Sequence, residues 1–161
     1  MELTRSRTII IVIAWSLVLL WMGVIYSLSS QVAVESNALS HGVTEVIVEA
    51  VQTVVPSAEF DVDDFNHLIR KNAHLLAYLI LGFLVSHAFA RNGLHGRENA
   101  RHTLIICVLY ALSDEMHQMM VPGRGPALMD VMIDSLGVCI GLSLYYFIHV
   151  ARKRVRRKII E

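Results

Sequence analysis

Charged side chains interrupt an otherwise apolar stretch on both sides of a Pro-Gly-Arg-Gly-Pro turn at residues 122–126. Asp114 and Glu115 precede the turn, Asp130 and Asp134 follow it, and Arg124 lies within it. Carboxylates can act as general acids or bases, and an arginine can bind phosphate bidentately or stabilise developing negative charge. These residues are therefore the first candidates for a functional site.

Helical spacing predicts which polar residues share a face, because positions three or four apart lie on the same side of an α-helix. Arg70, His74 and Tyr78 recur at intervals of four, and Asp130 and Asp134 are also four apart. The full set of predicted ligand-binding residues comprises Arg70, Lys71, His74, Tyr78, Asp114, Glu115, Gln118, Arg124, Asp130 and Asp134.

The composition indicates that membrane-spanning helices position these residues. The chain of 161 residues is 55% apolar, and its mean hydropathy of +0.53 is high for a soluble domain. A span needs about 20 apolar residues to cross a hydrocarbon core of about 30 Å. The pattern predicts an all-α polytopic membrane protein, a four-transmembrane-helix bundle forming a single domain over residues 1–161. The predicted spans cover residues 8–28, 72–90, 102–121 and 127–150.

The longest polar segment, residues 29–71, is predicted to lie outside the cytoplasm and to contain an amphipathic helix between spans one and two. Apolar residues from Val43 to Val55 recur at helical spacing, with polar residues on the other face. Pro56 is expected to end this helix. The acidic run at residues 59–64 is expected to form a solvated turn before span two.

The distribution of basic residues predicts an orientation. Eleven of the fourteen Lys and Arg residues lie in the N-terminal segment, the loop at residues 91–101 and the tail at residues 151–161. Four spans put these segments on one face, which the positive-inside rule makes cytoplasmic. We therefore expect a multi-pass protein of the inner (plasma) membrane with both termini cytoplasmic and the polar cluster outside. A basic tail beside a span is typical of contact with membrane lipids, and no nucleic-acid partner is expected.

Burial of the four carboxylates has a cost that constrains their surroundings. An ionised side chain costs about 2.5–3.5 kcal/mol at the bilayer centre on insertion scales, so these groups must be paired, hydrated or protonated. Gly137 and Gly141 roughly continue the line of Asp130 and Asp134, and small residues permit close helix approach. The acidic face is therefore expected to point into a bundle. The glycines fit packing within one chain or between two copies of an oligomer.

Three motifs occur in order along the chain: Ser29-Ser30-Gln31, Arg70-Lys71-Asn72-Ala73-His74-Leu75-Leu76-Ala77-Tyr78 and Asp114-Glu115-Met116-His117-Gln118-Met119-Met120-Val121-Pro122-Gly123-Arg124. Together they resemble the VanZ-like family of small membrane proteins, which is associated with teicoplanin resistance. The resemblance covers roughly residues 26–145 and includes Gly82, Asp130, Gly137 and Gly141 beside three longer motifs. Asp134 departs from it and adds a charge, because the family more usually has Asn there. The resemblance implies a role at the cell envelope and reduced sensitivity to teicoplanin-type antibiotics, but no established reaction.

Three functions are compatible with the cluster. In the first, Arg70, Lys71 and Arg124 bind an anionic headgroup, such as a phospholipid or a polyprenyl phosphate, and His74 helps the carboxylates to orient it. In a purely structural alternative, the cluster only holds the helices together, with Arg124 pairing with a carboxylate.

The remaining function is that of an envelope enzyme, a hydrolase or transferase. Asp114 or Glu115 is its candidate general base, and His74 or His117 its candidate acid, with Arg124 stabilising developing charge. A variant of this hypothesis has a divalent ion bound by Asp114, Glu115, His117, Asp130 or His74. The sequence has no strict metal-ligand spacing such as His-Glu-x-x-His, so neither a metal nor a cofactor is predicted.

Overall fold

The computed structural model describes residues 2–31, 42, 44, 46–49, 53, 62–122 and 128–160, and the side chains of residues 5–31, 42, 44, 46–49, 53, 68–122 and 128–155. Four long helices make up almost all of this part: α1 (Glu2–Ser29), α2 (Val62–Arg91), α3 (Gly96–Gln118) and α4 (Leu128–Ile160). No strand occurs among the described residues. The predicted all-α class is confirmed.

Three of the helices are long and apolar enough to cross a membrane, over the segments Arg5–Ser29, Leu68–Arg91 and Leu128–Val155. Large apolar side chains such as Leu20, Leu109 and Phe147 are exposed on the outside of the bundle, where lipid would cover them. The membrane character of the chain follows from these two observations. Helix α3 is less apolar, because charged residues lie near both of its ends. A fourth span therefore stays a prediction.

The helices extend past the predicted span boundaries. Helix α2 begins at Val62, so Asp63 and Asp64 lie in helix and the prediction of a turn is wrong at these two positions. Helix α4 continues to Ile160, so residues 151–160 extend α4 instead of forming a separate tail. No Gly or Pro lies in either extension to end the helix. Hydropathy marks where a helix can contact hydrocarbon, and the backbone continues beyond that point.

The connection between α2 and α3 is much shorter than the loop predicted at residues 91–101. It spans residues 92–95, and it is closed by the Leu94 N–H donating to the Phe89 carbonyl at 3.0 Å. Gly93 has φ +96° and Gly96 has φ +57°, a left-handed conformation that glycine adopts without steric cost. Two glycines close together therefore reverse the chain within one tight turn and force α2 and α3 to be antiparallel neighbours.

Helix α2 is the central helix and contacts each of the other three. Its buried face includes Tyr78, Leu81 and Val85, all with almost no exposed surface. Its most extensive contact is with α4.

Glycines allow α2 and α4 to pack closely. A Cβ atom on Gly137 would overlap the Leu75 carbonyl oxygen, and one on Gly141 would overlap the Leu79 carbonyl oxygen. A Cβ on Gly82 would meet the Val138 carbonyl oxygen at 2.7 Å. Both glycines of α4 therefore face α2 within the same chain, as small residues at membrane helix interfaces do. The structure shows the predicted packing within a single bundle, and packing between two copies stays a prediction.

Basic residues from separate helices meet at one end of the bundle, here called the basic end. A Cβ on Gly93 would lie 3.8 Å from the Arg7 guanidinium, and a cavity of about 1000 Å³ at this end is lined by Arg91, Arg152 and Lys153 together with His87, His95 and His149. The prediction that the basic segments share one side of the bundle is confirmed. Which side of the membrane it faces stays a prediction.

The predicted amphipathic helix is described only in part. Residues 42, 44, 46–49 and 53 are helical, and the Thr53 hydroxyl donates to the Glu49 carbonyl at 2.8 Å. The rest of residues 32–61 lies outside the described part of the chain, as does the proposed helix end at Pro56. The location of this helix outside the cytoplasm stays a prediction.

Candidate functional site

Polar side chains from all four helices meet inside the bundle, at the end opposite the basic end. They surround the Asp114 carboxylate, which is 4% exposed. Asp114 Oδ2 accepts hydrogen bonds from Ser29 Oγ at 2.8 Å, Tyr78 OH at 3.3 Å and Gln118 Nε2 at 3.3 Å. Gln118 Nε2 also lies 3.3 Å from Ser29 Oγ. One carboxylate oxygen therefore links α1, α2 and α3.

The periodicity of α3 places Asp114 at this point. The buried residues of α3 recur every three or four positions and comprise Asn99, Thr103, Cys107, Ala111, Asp114 and Gln118. This stripe faces the other helices, and polar residues occupy both of its ends. Asp114 cannot turn to solvent from such a position, so its partners come from neighbouring helices, apart from Gln118 on its own helix.

Helix α4 contributes a second buried carboxylate, Asp134, which is 4% exposed. Its Oδ1 lies 3.8 Å from His74 Nδ1 of α2, whose side chain is 24% exposed. One ligand atom from each of His74, Asp114 and Asp134 lies within 4.8 Å of the others. We call these three residues the carboxylate triad. It combines two oxygen donors and one nitrogen donor, a set able to hold a metal ion.

Two oxygen atoms of the triad are left without hydrogen bonds. Asp114 Oδ1 and Asp134 Oδ1 are buried and lack a hydrogen-bond partner within the described part of the chain. An unsatisfied buried acceptor is costly and rare, and each instance calls for an explanation. The triad therefore has coordinating capacity that the described side chains do not use.

The structure joins five of the predicted ligand-binding residues in this cluster: His74, Tyr78, Asp114, Gln118 and Asp134. Tyr78 is fully buried and donates to Asp114, so it reaches the interior and not the membrane surface.

The other predicted residues lie around the cluster or outside the described part. Arg70 and Lys71 are half-buried, one turn before His74 on α2. Glu115 and Asp130 are half-buried beside Asp114 and Asp134 on their helices. Lys71 and Asp130 make no hydrogen bond to the cluster among the described residues. Arg124 lies outside the described residues, so its predicted role stays a prediction.

Ser29 and Ser30 were not assigned to the site from sequence. Ser29 donates to Asp114, while Ser30 Oγ lies 3.1 Å from His117 Nε2. The Tyr26 ring lies 4.6 Å from the His117 ring, centroid to centroid. His117 is thus held against the end of α1. The signal available in sequence was a pair of hydroxyl side chains at the end of a long apolar span, but it did not indicate their partner.

A second buried polar network, which the sequence did not predict, lies toward the basic end. Asn99 accepts hydrogen bonds at Oδ1 from Ser86 Oγ at 2.9 Å and from Thr103 Oγ1 at 3.1 Å. Its Nδ2 donates to the Ser86 carbonyl at 2.9 Å and to the Leu94 carbonyl at 3.2 Å. We call Ser86, Asn99 and Thr103 the neutral network. It joins α2 to α3 and leaves no side-chain polar atom unsatisfied among the described residues.

Comparison with curated proteins and with solved structures gives no match. A family model does match, over residues 14–149, and its description is VanZ/LLP1. The match covers most of the chain, including α2, α3 and the carboxylate triad. The chain therefore belongs to the VanZ/LLP1 family.

Proposed function

We propose that this protein binds the anionic headgroup of a membrane lipid or lipid-linked wall precursor at the end of the bundle that holds the carboxylate triad. In this proposal that end faces outward from the inner membrane, and both termini lie in the cytoplasm. An effect on teicoplanin sensitivity would follow if the bound lipid is a wall precursor, because glycopeptides act on such precursors outside the membrane.

One observation carries the proposal: a polar path runs along one face of α2, from half-buried Arg70, Lys71 and His74 to fully buried Tyr78. Arg70 and Lys71 are half-buried, His74 is 24% exposed one turn further, and Tyr78 is completely buried against Asp114. Arginine matches a phosphate bidentately, and the cationic pair comes first on this path. A headgroup phosphate held there would place its remaining polar groups beside His74.

The described contacts also argue against a purely structural role. A cluster that only held helices together would have its buried acceptors satisfied, as the neutral network does. Here two buried carboxylate oxygens lack hydrogen-bond partners within the described residues.

The experiment compares lipids that copurify with matched variants in detergent, identified by native mass spectrometry. The double variant Arg70→Gln/Lys71→Gln should lose anionic lipid, and Arg124→Gln should reduce it. Arg91→Gln, on the same helix at the basic end, is the control and should retain the lipid. Equal lipid retention in the double variant and the wild type would overturn the proposal. The masses distinguish phospholipid from polyprenyl-linked headgroups.

An envelope enzyme is the second candidate, favoured by the positioning of Asp114. Its Oδ2 is held by three donors, which orients the carboxylate as a general base would require, and His74 is close enough to act as an acid. Under this hypothesis the Asp114→Asn variant should fold and insert into the membrane but be inactive. The lipid extract of cells that express it should then match that of cells without the protein. An extract identical between wild-type and non-expressing cells would count against catalysis.

A further inference from the structure

We propose that His74, Asp114 and Asp134 bind a divalent transition-metal cation of the Zn²⁺ or Mn²⁺ kind. The three side chains come from three different helices, so no single sequence motif contains the three ligands of this site. Each offers a ligand atom within 4.8 Å of the other two. Metal–ligand distances of about 2.0–2.2 Å place neighbouring ligand atoms roughly 3–3.5 Å apart, so small side-chain rotations would close the triad around an ion.

The two unsatisfied oxygens are the independent observation that points to a ligand. Asp114 and Asp134 are each 4% exposed, and the Oδ1 atom of each is buried without a hydrogen-bond partner among the described residues. Two carboxylates held this close repel each other when both are ionised. A cation between them would satisfy both oxygens and remove the repulsion.

The hydrogen bonds around Asp114 resemble the outer partners that orient metal ligands. Ser29, Tyr78 and Gln118 all donate to Oδ2, so that oxygen is used and Oδ1 remains for another ligand. Partners of this kind set the orientation of a coordinating carboxylate and contribute to metal affinity.

The donor chemistry selects the class of cation. Imidazole nitrogen suits Zn²⁺ and other transition metals, whereas Mg²⁺ and Ca²⁺ prefer sites made only of oxygen. Two carboxylates and one histidine therefore fit Zn²⁺ or Mn²⁺ better than Mg²⁺. Three protein ligands also leave coordination positions for an external group, as catalytic and substrate-binding zinc sites do.

The inference deepens the proposed function. The role of the cation in lipid binding rests on that proposed function. Two ionised carboxylates would repel a phosphate that approaches along the α2 path. A divalent cation in the triad would reverse that charge and supply an open position for a phosphate oxygen. Cation binding itself requires no lipid, so the two proposals can fail separately.

The test uses full-length protein in detergent, first stripped with EDTA and then dialysed against Zn²⁺ or Mn²⁺. Metal content is measured by inductively coupled plasma mass spectrometry, and thermal unfolding is followed with each ion. Wild type should retain close to one Zn²⁺ or Mn²⁺ per chain after desalting and unfold at higher temperature with the ion than with EDTA. Mg²⁺ at the same concentration should give a much smaller shift.

Matched variants identify the ligands. Asp134→Asn should lose at least tenfold in metal affinity, whereas Asp130→Asn, one turn earlier on the same helix and outside the triad, should retain the metal affinity of the wild type. His74→Gln should also lose the metal, and His149→Gln at the basic end should retain it. If a variant folds poorly, the electron paramagnetic resonance spectrum of Mn²⁺ with wild-type protein still reports whether the ion is held by protein ligands.

Two results would overturn the inference: wild type that retains no Zn²⁺ or Mn²⁺, or equal retention by Asp134→Asn and Asp130→Asn. Repeating the lipid measurement with EDTA separates this inference from the proposed function. Lipid bound equally with and without EDTA by a protein that holds no metal would refute the cation and support lipid binding. A metal-binding protein without copurifying anionic lipid would support the cation and refute lipid binding.

Discussion

The bundle contains two buried polar networks that differ in charge and in completeness. The neutral network joins Ser86 to Asn99 and Thr103, and its amide group makes four hydrogen bonds at 2.9–3.2 Å. The carboxylate triad includes two buried acids with one unsatisfied oxygen each among the described residues. Both connect helices, but among the described residues only the first has all of its buried side-chain polar atoms hydrogen-bonded.

This difference separates a structural contact from a site. A polar group in a membrane helix is stabilising when all of its hydrogen-bonding groups find partners, and the neutral network meets that condition. The triad does not meet it, although its ligand atoms, from three helices, lie within 4.8 Å of one another. The neutral network is thus an internal reference for what a purely structural cluster looks like in this fold.

The largest expected effect comes from separating α4 from α2. This change should disrupt the triad but not the neutral network, because the neutral network joins α2 to α3. Gly137→Val places side-chain atoms against the Leu75 carbonyl, and overpacking of this kind costs about 1–3 kcal/mol or more. Zn²⁺-dependent stabilisation should vanish. Gly23→Val is the control, because a Cβ there meets nothing within 4 Å. Unchanged thermal unfolding of Gly137→Val would show that the close α2–α4 contact is not formed.

Removing the centre of the neutral network should have the next largest effect. Asn99→Ala leaves two hydroxyls and two carbonyls without their shared partner, and we expect a loss of about 1–2 kcal/mol, independent of metal. Thermal unfolding in detergent measures the loss. Asn72→Ala is the control, since Asn72 is exposed and bonds only within its own helix. A metal-dependent effect of Asn99→Ala would contradict the division into two independent networks.

Ser29→Ala should have a smaller effect on stability, about 0.5–1 kcal/mol, because Tyr78 and Gln118 still donate to Asp114. Its effect on the triad should be clearer, since loss of an orienting hydrogen bond typically lowers metal affinity about 10–100-fold. Zn²⁺ titration monitored by thermal shift measures both. The exposed Ser27, which bonds to the Gly23 carbonyl of its own helix, provides the control variant Ser27→Ala. Equal Zn²⁺ affinities of the two variants would exclude an orienting role.

The smallest effect on metal-free stability should come from Asp134→Asn. Removing one of two neighbouring carboxylates relieves repulsion, so in EDTA the variant should unfold at the same temperature as wild type or slightly higher. The expected change in metal-free unfolding temperature is opposite in direction to that of Asn99→Ala. The two variants therefore compare the two networks directly. A drop in metal-free stability as large as that of Asn99→Ala would mean that Asp134 is a structural residue.

Part of the site was accessible from the sequence because helical geometry is local. The spacing of Arg70, His74 and Tyr78 predicted one shared face of α2, and the structure shows His74 and Tyr78 both reaching the cluster. Residues 59–64 show the limit of such inference: their charge suggested a turn, yet α2 already begins at Val62. Charge indicates where water is expected, whereas helix ends depend on backbone geometry and capping.

By itself the sequence determined the helical class, three of the apolar spans, the common side of the basic segments and the polar face of α2. Only the tertiary structure decided that Ser29 bonds to Asp114, that Asp134 and not Asp130 joins the triad, and that Asn99 closes a separate network. The reason is that periodicity assigns a residue to a face of its own helix. The register and rotation of one helix against another depend on close packing at residues such as Gly137 and Gly141, which no single helix encodes.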